Sequence, residues 1–159
     1  MSDVDAPLAA ARVRGPWSPA EVVAFLEAER SPLRLALHGE RGFPLVVSLW
    51  FRHGAGALWC ATHATSHVAR RLARDDRVAF EVSTNDPPYR GVRGQGRVER
   101  LPAEGGRELE ALLRRYLGGT DSSLARWLLS RADGEVALRI VPDRILSWDF
   151  TARMRDADS

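Results

Sequence analysis

The apolar and polar positions of the chain follow two periods, which mark out its elements. In "SPAEVVAFLEAER" Ser18, Pro19 and Glu21 precede an apolar stripe of Val22, Phe25 and Leu26, the pattern of a helix opened by a capping box. "PLRLALHG" then sets Leu33, Leu35 and Leu37 against Arg34, Ala36 and His38, the period of a half-buried strand. "FPLVVSLWF" is almost wholly apolar, and with the turn "RHGAG" and the run "ALWCAT" it predicts a hairpin. A strand buried on both faces needs a second layer over it. Residues 66–74 read as a short helix, and "RVAFEVST" as another strand. "NDPP" is a loop, because proline disfavours the helical region for the residue before it and cannot donate to a ladder.

"YRGVRGQGRVERL" predicts a long strand carrying three glycines. "AEGGRELEALLRRYLGG" predicts a helix ending at Gly118 and Gly119, and "DSSLARWLLSRA" a second, capped by Asp121 or Ser122. "GEVALRIVP" and "DRILSWDF" close the chain as two strands split by a Pro-Asp turn. The sum is about seven strands and four helices, the early strands consecutive and joined by short turns. That order predicts a mainly β, α+β architecture: an antiparallel sheet or barrel with peripheral helices, not a doubly wound fold. One domain over residues 16–150 is expected, with flexible tails at 1–15 and 151–159.

Charge modifies this picture little. The chain has no lysine, so all 23 basic residues are arginine, and the pI of about 9.3 arises from guanidinium groups that do not titrate. Net charge is only +2, and acids interleave the arginines in "ARDDR" and "RELEALLRR". No solid basic block marks a nucleic-acid surface, so no nucleic-acid partner is expected. No apolar run approaches the ~20 residues of a membrane helix, and no secretory pattern opens the chain. With a single cysteine, Cys60, the expectation is a cytoplasmic protein without disulfide or membrane contact.

Catalytic signatures are sparse. There is no G-x-S-x-G elbow, Walker-type loop or C-x-x-C pair. Cys60 lies in an apolar strand and reads as a small core residue. His63 and His67 are four apart but lack a third ligand, so no metal site is expected. His38 and His53 read as exposed strand or turn residues. Gly91, Gly94 and Gly96 lie within a strand, which leaves two readings: close packing of a neighbouring backbone, or room for a flat ring. Trp50, Trp59 and Trp148 read first as core or interface residues, with Trp148 the best candidate for a cleft.

One stretch, "THATSHVARRLARDDRVAFEV", resembles the pattern T-x-x-x-S-x-K-x-x-x-L-x-x-D-P-R-V of the pyridoxamine 5'-phosphate oxidase-like, flavin-binding split-barrel family. Thr62, Ser66, Leu72, Asp75, Arg77 and Val78 fall on it without a gap. "PPYRGVRGQGRVERL" and "VALRIVPDRILSWDF" are similar to the family's later strands, so the likeness runs over residues 30 to 150. It implies a six-stranded antiparallel split β-barrel that forms a homodimer, with two equivalent cofactor sites between the subunits. It also implies FMN or the deazaflavin coenzyme F420 as cofactor, and hydride transfer with a small-molecule substrate. The residues placed at the cofactor are Val46, Val47 and Ser48 on the apolar strand, then Thr62, Ser66, His67, Val68 and Arg71 around the phosphate, with Arg90 and Trp148 from elsewhere.

The chain departs from the oxidase branch of that family. Val46 and Phe51 stand where an arginine and a lysine belong, His67 and Val68 replace the Arg-Lys that follows Ser66, and Gly91 replaces a glutamine. Each charge-assisted hydrogen bond to a phosphate contributes about 1.5–3 kcal/mol, so the loss is severe unless Arg70, Arg71, Arg90, Arg93 or helix N–H groups compensate. Two functions follow from these residues. One is a flavin- or deazaflavin-dependent oxidoreductase that is not a true pyridoxamine phosphate oxidase. The other is a non-catalytic dimer that binds a flavin or tetrapyrrole, or has lost its cofactor.

Overall fold

The computed structural model describes Leu8 and residues 11–155. Its order is β1 (Arg12–Arg14), α1 (Pro19–Ala28), β2 (Leu33–His38), β3 (Pro44–Leu49), β4 (Arg52–Gly54), β5 (Ala57–His63), α2 (His67–Leu72), β6 (Arg77–Ser83) and β7 (Arg90–Leu101). Then come α3 (Gly105–Leu117), α4 (Ser123–Leu129), β8 (Glu135–Asp149) and α5 (Thr151–Arg155). One sheet runs β3-β2-β6-β7-β8-β5-β4, antiparallel throughout, and β1 adds to β8 in parallel. Its two end strands, β3 and β4, are only Trp50 and Phe51 apart in the chain, so the sheet curls until its edges nearly meet. This is a split barrel with helices outside it. Of its eight strands, all but the three-residue β1 and β4 have six or more residues.

The alternation read from the sequence places the core. Leu33, Leu35 and Leu37 of β2, Val78, Phe80 and Val82 of β6, and Leu58 and Cys60 of β5 point inward with Val68, Ala69 and Leu72 of α2. Ser18 caps α1 as expected: its hydroxyl accepts from the Glu21 N–H at 3.3 Å, and the Glu21 carboxylate accepts from the Ser18 N–H at 2.7 Å. Ser122, of the two candidates, caps α4 by accepting from the Ala125 N–H. Gly118 ends α3 in the left-handed region, at φ 74°. A second, small core of Leu109, Leu113 and Ala125 holds α3 and α4 together.

Four expectations need correction. "FPLVVSLWF" holds one strand, β3, which pairs with β2 and has an exposed face, whereas the hairpin with β5 is made by β4, which lies in the expected turn "RHGAG". The break at Trp50–Phe51 is held by Tyr116 of α3, whose ring stacks on Trp50 at 5.0 Å and whose hydroxyl accepts the Phe51 N–H. Secondly, "VALRIVPDRILSWDF" is one strand. Gln95 pairs with Arg144 and Gly96 with Pro142, so Asp143 is a bulge and not part of a turn. At a bulge the missing N–H of Pro142 costs no ladder bond.

Thirdly, the segments set outside the fold partly belong to it. Arg12–Arg14 pair with Arg144–Leu146, Leu8 is buried, and Thr151–Arg155 form α5. Residues 1–7, 9, 10 and 156–159 of those tails lie outside the described residues. Finally, His53 is buried rather than exposed, because α1 packs over β4.

Candidate functional site

The family-like stretch makes a hydroxyl knot where β5 turns into α2. Thr62 Oγ1 lies 3.1 Å from Ser66 Oγ, which accepts the Ala69 N–H at 3.1 Å and so caps the helix. The His67 and Val68 N–H groups, at the first two helical positions, have no intrahelical acceptor. His67 is exposed, whereas the Val68 side chain is buried in the barrel core. The arginines that follow are occupied. Arg70 donates to the Thr65 carbonyl, and Arg71 donates to the His38 and Gly39 carbonyls at 3.0 and 2.7 Å. Arg71 therefore ties α2 to the end of β2.

On the outer face of the sheet, a depression of about 470 Å³ lies across β2, β6 and β7. Its floor has the small residues Ala36 and Ala79, and its rim includes His38, Pro44, Arg77 and Gln95. Arg77 donates twice to Asp75, at 2.9 and 2.8 Å, and this bonding holds the Asp75 carboxyl below the usual carboxylate range. Val46 is 62% exposed and sits opposite Ala36, so it extends the depression's face. Ser48 shares that face opposite Arg34, while Val47 turns toward the core.

Arg90 and Trp148 stand apart from these groups. Arg90 pairs with Asp149 and Trp148 with Gly91, while the Trp148 ring leans on Phe150 at 5.2 Å. Thr62 pairs with Val136, and Trp148 lies twelve residues further along the same strand (148 minus 136). At ~3.3 Å per residue that is about 40 Å for a straight strand, an upper limit here because β8 is bulged. One chain does not bring the two groups together. A Cβ at Gly91 would stand 2.5 Å from the Val82 carbonyl oxygen, so no side chain fits without a shift. At Gly94 it would meet Phe80 and the Arg144 carbonyl, and at Gly96 the Val141 carbonyl. Close packing, not room for a ring, accounts for these glycines.

Sequence reasoning missed a buried polar cluster. Arg52 donates to both carboxylate oxygens of Glu108, at 2.8 and 2.6 Å, and the Glu108 side chain is only 4% exposed. Beside Arg52 in β4, His53 has no hydrogen-bond partner at either ring nitrogen, and Nδ1 lies 3.6 Å from Glu27. Burial pushes the His53 pKa down and that of Cys60 up. One signal was available. Glu108 stands on the same helical stripe as Leu109, Leu112 and Leu113, where a carboxylate needs a buried partner. Among the described residues no group of three or more His, Cys, Asp or Glu is arranged to hold a metal, and no helix is long and apolar enough to cross a membrane.

The fold and the hydroxyl knot at the start of α2 define a split-barrel protein. The conserved hypothetical protein Rv2991 from Mycobacterium tuberculosis is 30% identical, with a TM-score of 0.72 over 84% of this chain and 86% of that one. The chain belongs to the pyridoxamine 5'-phosphate oxidase-like split-barrel family. An F420 reductase is similar at 24% identity and a TM-score of 0.65, over 77% of this chain and 93% of its own. A Listeria innocua protein described as a pyridoxamine 5'-phosphate oxidase shares the fold at 17% identity and a TM-score of 0.62, over 83% and 97%. No protein-family model and no curated protein matches the chain.

Proposed function

We infer that the chain is a homodimeric oxidoreductase holding FMN or coenzyme F420 in two equivalent clefts between subunits. It passes a hydride to or from a small organic substrate and is not a true pyridoxamine phosphate oxidase. The observation that carries the reading is the separation of Trp148 and Arg90 from Thr62, Ser66 and His67 along one chain. A two-fold partner would supply the first pair to the second group. The exposed Val46 side chain, 62% accessible, and the exposed Pro44 beside it on the same face give β3 an apolar surface for such a contact.

The residues present fit an anion held mainly by neutral donors. The Thr62 and Ser66 hydroxyls and the His67 and Val68 N–H groups would hold the phosphate, with the exposed His67 side chain beside them. Next to the knot, Arg70 and Arg71 are bound to carbonyls, and Val46 and Val68 are apolar. When bound, the ring supplies the hydride chemistry, and the protein supplies position and exclusion of water. Val46 and Ser48 would border it, and Trp148 of the second subunit would close it.

The weakened grip favours one second reading, a dimer that binds a flavin or tetrapyrrole without catalysis or has lost its cofactor. Absorbance of the purified protein decides between them, together with fluorescence titration of FMN and F420 and the mass in solution. A dimer that quenches either cofactor and turns over supports the first reading. A colourless protein that quenches neither would sink it.

A further inference from the structure

The outer face of the sheet carries an arginine cluster that the cofactor reading does not use. Pairing places Arg12 beside Arg144, Arg14 beside Leu146, Leu146 beside Arg93, and Arg144 beside Gln95. Residues paired across strands share a face, so Arg12, Arg14, Arg93 and Arg144 project to the same side, and all four are exposed. Strand spacing is about 5 Å and diagonal neighbours lie about 7–8 Å apart, so the other three side chains start within ~8 Å of the Arg144 stem.

None of these four makes an ion pair within 4.0 Å among the described residues. Elsewhere on the sheet the pattern is opposite: Arg77 pairs with Asp75, Arg97 with Asp76 and Arg139 with Glu99. Two carboxylates border the cluster. Glu81 stands opposite Arg93 but accepts from the Ser83 hydroxyl, and Asp143, at the bulge, lines the depression by β2. A cavity of about 370 Å³ is lined by Arg12, Arg14 and Arg144, with Ile145 and Leu146 beside them.

Like charges on neighbouring strands repel, and guanidinium groups that lack an ion pair among the described residues keep that repulsion until an anion joins them. Their planar forks match phosphate oxygens two at a time. We propose that this face binds a small molecule bearing two adjoining phosphate groups. A lone phosphate leaves part of the cluster unmatched. The patch is also short, since the next positions beyond Gln95 in the Arg144 row are Ala79 and Ala36, so it suits a compact anion better than a nucleic-acid strand.

Calorimetry and thermal unfolding at fixed ionic strength test this with inorganic pyrophosphate, orthophosphate and a single-stranded oligonucleotide. The protein is compared with the double variant Arg12→Gln, Arg144→Gln, and with Arg100→Gln, Arg126→Gln, which removes the same charge elsewhere. Pyrophosphate is expected to bind at least ten-fold tighter than orthophosphate and to raise the melting midpoint of the parent and the Arg100/Arg126 control. Arg12→Gln, Arg144→Gln should lose ten-fold or more in affinity. Arg93→Gln, a single change on another strand, should lose several-fold and serves if the double variant does not fold. An equal response in all the proteins, no preference over orthophosphate, or tighter binding of the oligonucleotide would overturn the proposal. Because the probes are inorganic anions and DNA, the outcome does not depend on flavin content.

Discussion

Arg52 and Arg144 carry the same guanidinium in opposite surroundings. Arg52, on β4, meets the buried Glu108 through two short bonds, and its plane lies 5.3 Å from the Trp59 ring. Arg144, on β8, is exposed, has another arginine as its neighbour on β1, and pairs with no carboxylate. Arg115 belongs with Arg52. From α3 it donates to the Leu26, Glu27 and Glu29 carbonyls at 3.0, 2.9 and 2.7 Å, and so satisfies the end of α1. In a chain without lysine, arginine serves both as an internal strut and as an unspent surface charge. The partner present in the fold decides which.

The contrast predicts a graded series of effects. Glu108→Ala leaves Arg52 without its anion and should cost about 3 kcal/mol, lowering the midpoint of a melting curve by about 6–12 °C. Replacing both partners, Glu108→Leu with Arg52→Met, should recover most of that loss, which a double-mutant cycle reads directly. Arg115→Met removes three charge-assisted bonds to α1 and should cost about 2 kcal/mol in urea unfolding. Protease cutting near residues 26–32 should rise with it.

His53 gives a pH-dependent version of the same strut. Its folded pKa is depressed by burial, so the unfolded chain binds the extra proton first as pH falls. The stability it contributes is complete above the unfolded value near 6.5 and declines as pH drops from there toward the folded value. Melting curves between pH 7.5 and 5 should show this decline, and His53→Phe should flatten it. The smallest effect belongs to the unspent set. Arg144→Gln should change stability by no more than about 0.5 kcal/mol and, in low salt, in the stabilising direction. A loss comparable to that of Arg115→Met would abolish the distinction between the two sets.

What was legible in the sequence was local. The capping box at Ser18, the alternation of Leu33 to Leu37 and the glycine stop at Gly118 each depend on residues within a turn or two. The early end of the strand in "FPLVVSLWF", at Leu49, was not legible. Nothing in that run interrupts a strand, and its cause, Tyr116, lies 65 residues beyond Phe51. The Pro142–Asp143 pair has the chemistry of a turn, but β7 runs alongside without interruption and converts it to a bulge. Three residues, Arg12–Arg14, are too few to show a period. For the site, the motif identified Thr62 and Ser66, which the structure joins. It could not show that Arg71 is bound to β2 or that Val68 is buried in the core. Those outcomes depend on which way α2 rolls against the barrel.

The central place of β8 also orders events in time. Without residues 135–149 the sheet falls into two pieces, β3-β2-β6-β7 and β5-β4, with β1 attached to neither. During synthesis, then, the barrel cannot close until residues 135–149 have left the ribosome. Until that moment β7 and β5 each present an open edge, which exposes the nascent chain to mispairing. Its dependence on pairings far apart in sequence predicts slow folding, with closure by the last strand as the committing step.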